Sequence, residues 1–385
     1  MTRKFLFFLA AAALFQAPVP SAAAQGGGIE LRVALALKAL KVSLSSDGGE
    51  FRITSAKSGR LLNSGPMNEI TVRPHRQGIR INDLVFPVTS VKVASPDGDV
   101  SMGGVRYRGY FVVSVTDGGL LDAINYVGLE DYLRGVVPSE MPVDWPLEAL
   151  KAQAVAARTY ALYRRTESSE EDYDVLSDIN DQVYRGAERE NEKTDKAVRQ
   201  TAGMILTYKN SIVRALYHST SGGRTENGGA VFKGANLPYL KSVWCRFDRE
   251  SPSYVWQYSL RLSELQAALS RHGIRTGKIS GVSLRSKTRT SRIKELNIHT
   301  ASGRIIVSAT DFRKAVGTKK IRSTRFTLQR HGPRITFKGF GYGHGVGMCQ
   351  WGAKGMAEEN HNFREILSFY YRGTKLTPDI LYKSE

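Results

Sequence analysis

The chain has 385 residues, 41% hydrophobic and 24% charged, which excludes a fibrous or wholly disordered protein and fits one large core or two modest ones. Lys and Arg outnumber Asp and Glu by 55 to 36, a formal charge of +19. Such a balance draws a protein to polyanions: wall polymers, anionic lipid surfaces or nucleic acid.

Residues 1–24 read as a secretory signal. Arg3 and Lys4 precede an apolar stretch from Phe5 to Phe15, and Ala22-Ala23-Ala24 forms a small-residue cleavage site before Gln25. The apolar stretch is short for a membrane span, and no later segment is long and apolar enough to be one. Cleavage leaves a net +17, because only Arg3 and Lys4 are charged in the signal. The expected location is the periplasm or the outer cell-wall surface. Export argues against a nucleic-acid partner. So does the want of a zinc-finger spacing, an RNA-recognition aromatic pair or a basic zipper. An exported protein could also join its two cysteines, Cys245 and Cys349, as a disulfide.

From residue 25 to about Val115 the pattern is β-rich. Short β-branched and apolar runs alternate with turn signals such as "SSDGGE" and "SPDGD", and "VRYRGYFVVSV" alternates like a half-buried strand. Then the period changes. "LEDYLRGVV" sets Leu129, Tyr132, Leu133 and Val136 at helical spacing. Pro146 suits the first turn of a helix predicted to reach about Arg164. Further helices are predicted over residues 190–201, over "SELQAALSRH" with Ser263 and Gln266 as a capping box and Gly273 past its end, and over residues 363–371. "MILTYKNSIVRALYHS" reads as a hairpin turning at Lys209-Asn210, and strands are predicted from Lys278 to Lys338. Elements of each type come in blocks, so the fold class is α+β, mixed strands and helices. The β-rich N-terminal region packs with one larger α+β domain over residues 116–376, and 377–385 is a tail.

Several residues carry chemistry. Glu140 lies in "VVPSEMPVDWP", between Pro138 and Pro142, which suggests a rigid loop that could hold one carboxylate for acid–base work. A plain helix-start acid, favoured by the dipole, is the simpler reading. The following helix has alanine on several faces, which suggests close packing on more than one side. Lys151 and Arg158 share a face of it, where they could meet an anionic or sugar substrate, or Arg158 could serve a structural ion pair. His218 and Ser219 are strand neighbours that point to opposite faces, so they form no nucleophile–base pair. "GFGYGHGVGMCQWGAKG" is neither a P-loop nor a dinucleotide fingerprint. Its glycines suggest backbone squeezed against protein or ligand. No H-E-x-x-H or Cys-x-x-Cys occurs. Arg285, Lys287 and Arg289 fall at period two, on one side of a strand that could face an anionic surface or guard an edge.

"NYVGLEDYLRGVVPSEMPVDWPLEALKAQAVAARTYAL" closely resembles the SpoIID/LytB family, the stage II sporulation protein D and amidase-enhancer relatives. The resemblance continues in order through "DQVYRG", "ALYHSTSGGRTE", "LPYLKSV" and "GYGHGVGMCQWGAKGMA". It implies a peptidoglycan-directed role. Sporulation members are lytic transglycosylases, whose glutamate in Pro-Ser-Glu-Met carries over to Glu140. The side chains within the matching motifs that the resemblance suggests for glycan binding are Arg158, Gln182, Tyr184, His218, Thr225, His344 and Gln350. Met141, Trp145 and Tyr184 are the expected apolar wall around the acid. The implied partners are glycan strands, a separate cell-wall amidase, and an anionic wall or membrane surface met by the basic face. Some members bind zinc through cysteine and histidine upstream of Gln-x-Tyr-x-Gly. Here "DYDVLSDINDQVYRG" has neither residue type, so no metal and no cofactor are expected there. Many members also have serine where Cys349 stands.

Overall fold

The structure, a computed structural model, describes residues 28–378 apart from 47, 97 and 170. The proposed signal therefore lies outside the described residues. The fold is α+β with a β-rich N-terminal region. A seven-stranded sheet runs in the spatial order 175–176, 30–39, 121–128, 110–115, 90–94, 50–55, 61–66, and a six-stranded sheet holds the other N-terminal strands. Alternate residues face inward: in Tyr110–Val115, Phe111 and Val113 are fully buried.

The central strand Leu121–Gly128 leads without a loop into helix α1, Leu129–Glu140. The longest helix, α2 (Leu147–Glu167), is buried on nearly every side from Ala149 to Leu162. Alanine is what lets neighbours approach on all sides while keeping helix propensity high. Those neighbours are α1, α3 (Glu192–Gln200), α6 (Gln350–Glu358), α7 (Phe363–Tyr370) and the strand Met204–Tyr208. The turn at Lys209-Asn210 is present, both residues having positive φ (49° and 64°). Its returning arm pairs only over Ser211–Ile212; Tyr217–His218 instead runs parallel to Met348–Cys349.

The apolar interior divides into two clusters. One spans the N-terminal sheets and the helices around α2. The other lies wholly between Trp256 and Phe337, and is built from two three-stranded sheets with helices α4 (Leu262–Arg271) and α5 (Ala309–Val316). Thus α5 interrupts what the sequence suggested was an all-strand stretch. Helix α4 also starts earlier than expected: Glu264, not Gln266, turns back to accept from the Arg261 backbone N–H at 2.6 Å. Gly273 follows the helix with φ +81°, as anticipated. The basic series is corrected too. The strand ends at Lys287, its ladder is irregular around Ser286, and Arg289 sits in the next turn. The three charges are exposed but not aligned on one strand face.

Arg292 fastens this second module to the body. Its side chain is 1% exposed and donates to the Ser221 and Arg224 carbonyls at 3.0 and 3.4 Å. It also explains part of the glycine-rich segment. A Cβ at Gly345 (φ +84°) would strike the Arg292 guanidinium, and one at Gly347 (φ +72°) would strike the Leu216 carbonyl. The glycines are therefore pressed against protein.

Candidate active site

Glu140 is the last residue of α1, so the loop expected around it is corrected to a helix end. Pro138 lies inside the final turn, where its missing N–H gives up one helical bond, and Ser139 Oγ donates to the Gly135 carbonyl at 2.8 Å. The dipole reading is corrected as well. A carboxylate at a helix C-terminus faces the negative end, which disfavours its charge.

Three donors meet this carboxyl group. The Val183 backbone N–H reaches Oε1 at 2.8 Å. Gln350 Nε2, at the first position of α6, reaches Oε2 at 3.3 Å and the Glu140 backbone carbonyl at 3.1 Å. The Tyr217 hydroxyl is the third donor and has the weakest pull on the Glu140 pKa. Burial nevertheless dominates and raises the Glu140 pKa above the ordinary carboxylate value, against the opposing pull of all three donors. None of the groups that set this pKa is a charged side chain.

A second layer fixes the donors. Gln182 Nε2 donates to the Tyr217 hydroxyl oxygen at 3.0 Å, which leaves the Tyr217 proton for Glu140. Tyr132 donates to Gln182 Oε1 at 3.3 Å. Burial, then the Glu140 charge, hold the Tyr217 phenol far above its ordinary pKa, so it stays a donor. His344 Nε2 donates to the Tyr217 carbonyl at 2.8 Å, while its Nδ1 accepts from Val346 N–H at 3.1 Å. Burial pushes His344 down to about 4, so it is neutral at pH 7. Beside the acid, Met141 and Trp145 are buried, and Trp145 meets Trp351 edge to face at 5.0 Å.

The expected substrate contacts thus separate. Gln350 touches Glu140 directly; Gln182 and His344 act on it through Tyr217. Arg158 is 0% exposed and grips Glu130 with two 2.7 Å bonds while donating to carbonyls of Val198 and Met204, so its substrate role is corrected to a structural ion pair. Tyr184 lies among Tyr107 and Tyr132 with its hydroxyl 3.4 Å from Asn125. Thr225 is spent on Val243. Neither has surface for a ligand, and the expectation is corrected for both. His218 donates Nδ1–H to the Val346 carbonyl at 3.1 Å, is buried, and is held neutral by that burial. Sequence reasoning missed Tyr217 and the Val183 amide. Strand alternation held the clue, since Tyr217 must face opposite to His218.

The donor chemistry argues against a resident metal. Residues 172–186 contain neither cysteine nor histidine. Among the described residues one group has metal-like spacing: Cys245, Asp248 and Cys349, with ligand atoms within 4.8 Å of one another. Asp248 already accepts on both oxygens, with Cys349 Sγ a further 3.5 Å contact to Oδ2. Oδ2 accepts from Ser221 Oγ (2.7 Å) and Gly222 N–H (2.8 Å), and Oδ1 from Gly223 N–H (3.2 Å). The trio does not fit a resident metal.

A model of the stage II sporulation protein family, SpoIID, matches residues 117–208. A domain of unknown function (DUF8618) matches residues 242–347, which encloses the second module. Stage II sporulation protein D of Bacillus subtilis is 36% identical over 276 residues, covering 66% of this chain and 76% of that protein. The amidase enhancer of the same organism is 30% identical over 378 residues, 86% of this chain and 50% of the enhancer. An uncharacterised protein of Brachyspira hyodysenteriae is 32% identical over 308 residues, 80% of this chain and 82% of its own length. Among the described residues, no helix is long and apolar enough to cross a membrane.

Proposed function

The chain belongs to the SpoIID/LytB family, and on that premise we propose that it is an exported lytic transglycosylase that cuts the glycan strands of peptidoglycan. The observation that carries the reading is Glu140: a carboxyl group with a raised pKa, held by three donors, with no second carboxylate among the groups that set that pKa.

Hydrolytic glycosidases use two carboxyl groups, an acid and a base or nucleophile. A lytic transglycosylase needs one, because the muramyl C6 hydroxyl is the nucleophile. Protonated Glu140 gives its proton to the glycosidic oxygen as the bond to C1 breaks. The resulting carboxylate takes the proton of the C6 hydroxyl as that oxygen closes on C1. The proton count on Glu140 is restored, no water is consumed, and a 1,6-anhydromuramyl end forms. Burial and the helix C-terminus both favour the protonated acid. Val183, Gln350 and Tyr217 hold the carboxylate in place between the two transfers. The same wall would be reached through the basic module, by attraction to anionic polymer or membrane surface.

The test is mass spectrometry of peptidoglycan digested by the purified protein, with denuded and native glycan side by side. Anhydromuramyl ends that vanish with Glu140→Gln support the reading. A second reading rests on the 30% identity with the amidase enhancer: the protein binds wall and stimulates a separate amidase without cutting. Tight sacculus binding and amidase stimulation with no anhydro ends would favour it.

A further inference from the structure

The chain has two cysteines, 104 positions apart, and the fold brings them together. Both are free thiols buried in the interior. Their sulfurs lie within 4.8 Å of each other, with Cys349 Sγ 3.5 Å from Asp248 Oδ2 and Cys245 Sγ 3.2 Å from the Tyr370 hydroxyl. Each cysteine is set by backbone hydrogen bonds. The Cys245 N–H donates to the Gly223 carbonyl at 3.0 Å. Cys349 ends a parallel pairing with Tyr217–His218 and is the N-cap of α6, its sulfur accepting from Gly352 N–H at 3.3 Å.

That cap is chemically odd. Serine or threonine oxygen is a far better acceptor for a helix N-terminus, and sulfur is a weak one. The packing is also tailored: a Cβ on Gly352 would come within 2.7 Å of Cys245 Sγ. A nucleophilic role does not fit, since burial holds Cys349 above its ordinary thiol pKa and so away from the thiolate.

We propose that Cys245 and Cys349 are joined as a disulfide in the exported protein, closing a loop around the whole module from Val255 to Phe340 at its root beside Gln350. The location part rests on the export reading above. The bridge pins both chain segments that enter and leave the module, and it fixes the first turn of α6, from which Gln350 reaches Glu140. The oxidant is a small or protein disulfide of the exported compartment. One cysteine thiolate attacks it, forming a mixed disulfide and releasing one thiol. The second cysteine thiolate attacks the protein sulfur of that mixed disulfide and releases a second thiol. The cysteines lose two electrons, the oxidant gains them, and the two thiol protons end on the released thiols. Because the sulfurs are buried once folded, the bond forms during folding and then resists reductants.

The experiment refolds the full chain in a reduced and oxidised glutathione mixture, without zinc and with zinc added in parallel. The protein is then denatured without reductant and treated with an alkylating agent. The expected result is a mass two hydrogens below the dithiol form, no alkylation, and a non-reduced digest containing a Cys245–Cys349 peptide. Prolonged reduction should lower Tm of the wild-type protein and leave Tm of Cys349→Ser, which keeps a good helix cap, unchanged. Two alkylatable thiols in the oxidatively refolded protein would overturn the proposal. So would about one zinc per chain that protects both thiols until a chelator is added. Neither readout depends on glycan cleavage, so a bridged protein that cuts nothing sinks the transglycosylase reading and leaves this one standing.

Discussion

The body of the molecule and its second module differ most in charge. Between Val255 and Phe340 there are 19 Lys and Arg against three Asp and Glu, a net +16 of the chain's +19. The remaining residues carry 36 against 33. The candidate acid sits in the nearly balanced part, where no charged side chain figures in its pKa. Most of the polyanion attraction sits in a unit with its own apolar core. A strong positive field beside Glu140 would lower its pKa and favour the ionised form, which is the wrong state for a general acid. Placing the charge in a separate module would let long-range attraction coexist with the proposed acid catalysis.

The sharpest way to break this comparison is at Glu140. Glu140→Gln removes the transferable proton at nearly constant size. Glycan cleavage should fall by ~10²–10⁴-fold, while retention on sacculi should survive. Cleavage near the parent rate in a folded variant would remove the mechanism altogether.

The next effect concerns the donors. Glu140 must be protonated to act first as an acid, so activity should decline as pH rises through its pKa. The Tyr217 hydroxyl favours the ionised form. Tyr217→Phe should therefore raise that pKa and move the alkaline limb of kcat/KM to higher pH. A hydrogen bond to a charged group is worth ~1.5–3 kcal/mol, and 1.36 kcal/mol is one pKa unit, so the shift should be about one to two units. A limb that stays in place or moves down would separate Tyr217 from the acid.

These residues also mark what the sequence could reveal. Glu140 could be singled out from the sequence because its motif is local, and so could α2, whose alanines announce burial on all sides. The geometry around the acid was not. Gln350 lies 210 positions from Glu140, and only the docking of α6 against α2 brings them together. The Val183 contribution is a backbone N–H, which leaves no mark in residue type. Pro138 misled: read as a loop former, it is accepted in a last helical turn because only one hydrogen bond is lost there. Arg158 and Thr225 show the opposite failure. A polar residue within a matching motif looks like a ligand contact until its partners, Glu130 and Val243, account for it.

A smaller effect tests the module. Arg285, Lys287 and Arg289 are exposed, though Arg285 lies 3.4 Å from Glu295. Exposed pairs contribute ~0.2–1 kcal/mol each, so neutralising all three should weaken sacculus retention by about threefold or more at low salt. The loss should shrink as salt rises, since the Debye length falls from ~10 Å at 0.1 M to ~3 Å at 1 M. Cleavage of a short soluble glycan should hardly change. If the triple variant stayed folded but lost soluble-glycan cleavage, those charges would belong to the cleft.

The smallest expected effect is none, and it bears on the body alone. Residues 172–186, around Gln182 and Tyr184, offer neither cysteine nor histidine as a zinc ligand. Gln182 is instead spent on Tyr132, Ala157 and Tyr217, and Tyr184 on packing against Tyr107 and Tyr132. The remaining cluster, Cys245 with Asp248 and Cys349, has its carboxylate taken by Ser221, Gly222 and Gly223. A metal there would have to displace those bonds and unfix the segment that receives Arg292. A strong chelator should therefore leave both the cleavage rate and Tm unchanged. A fall in rate alone would place a metal near Glu140. A fall in Tm alone would place it at the cysteines and count against the disulfide.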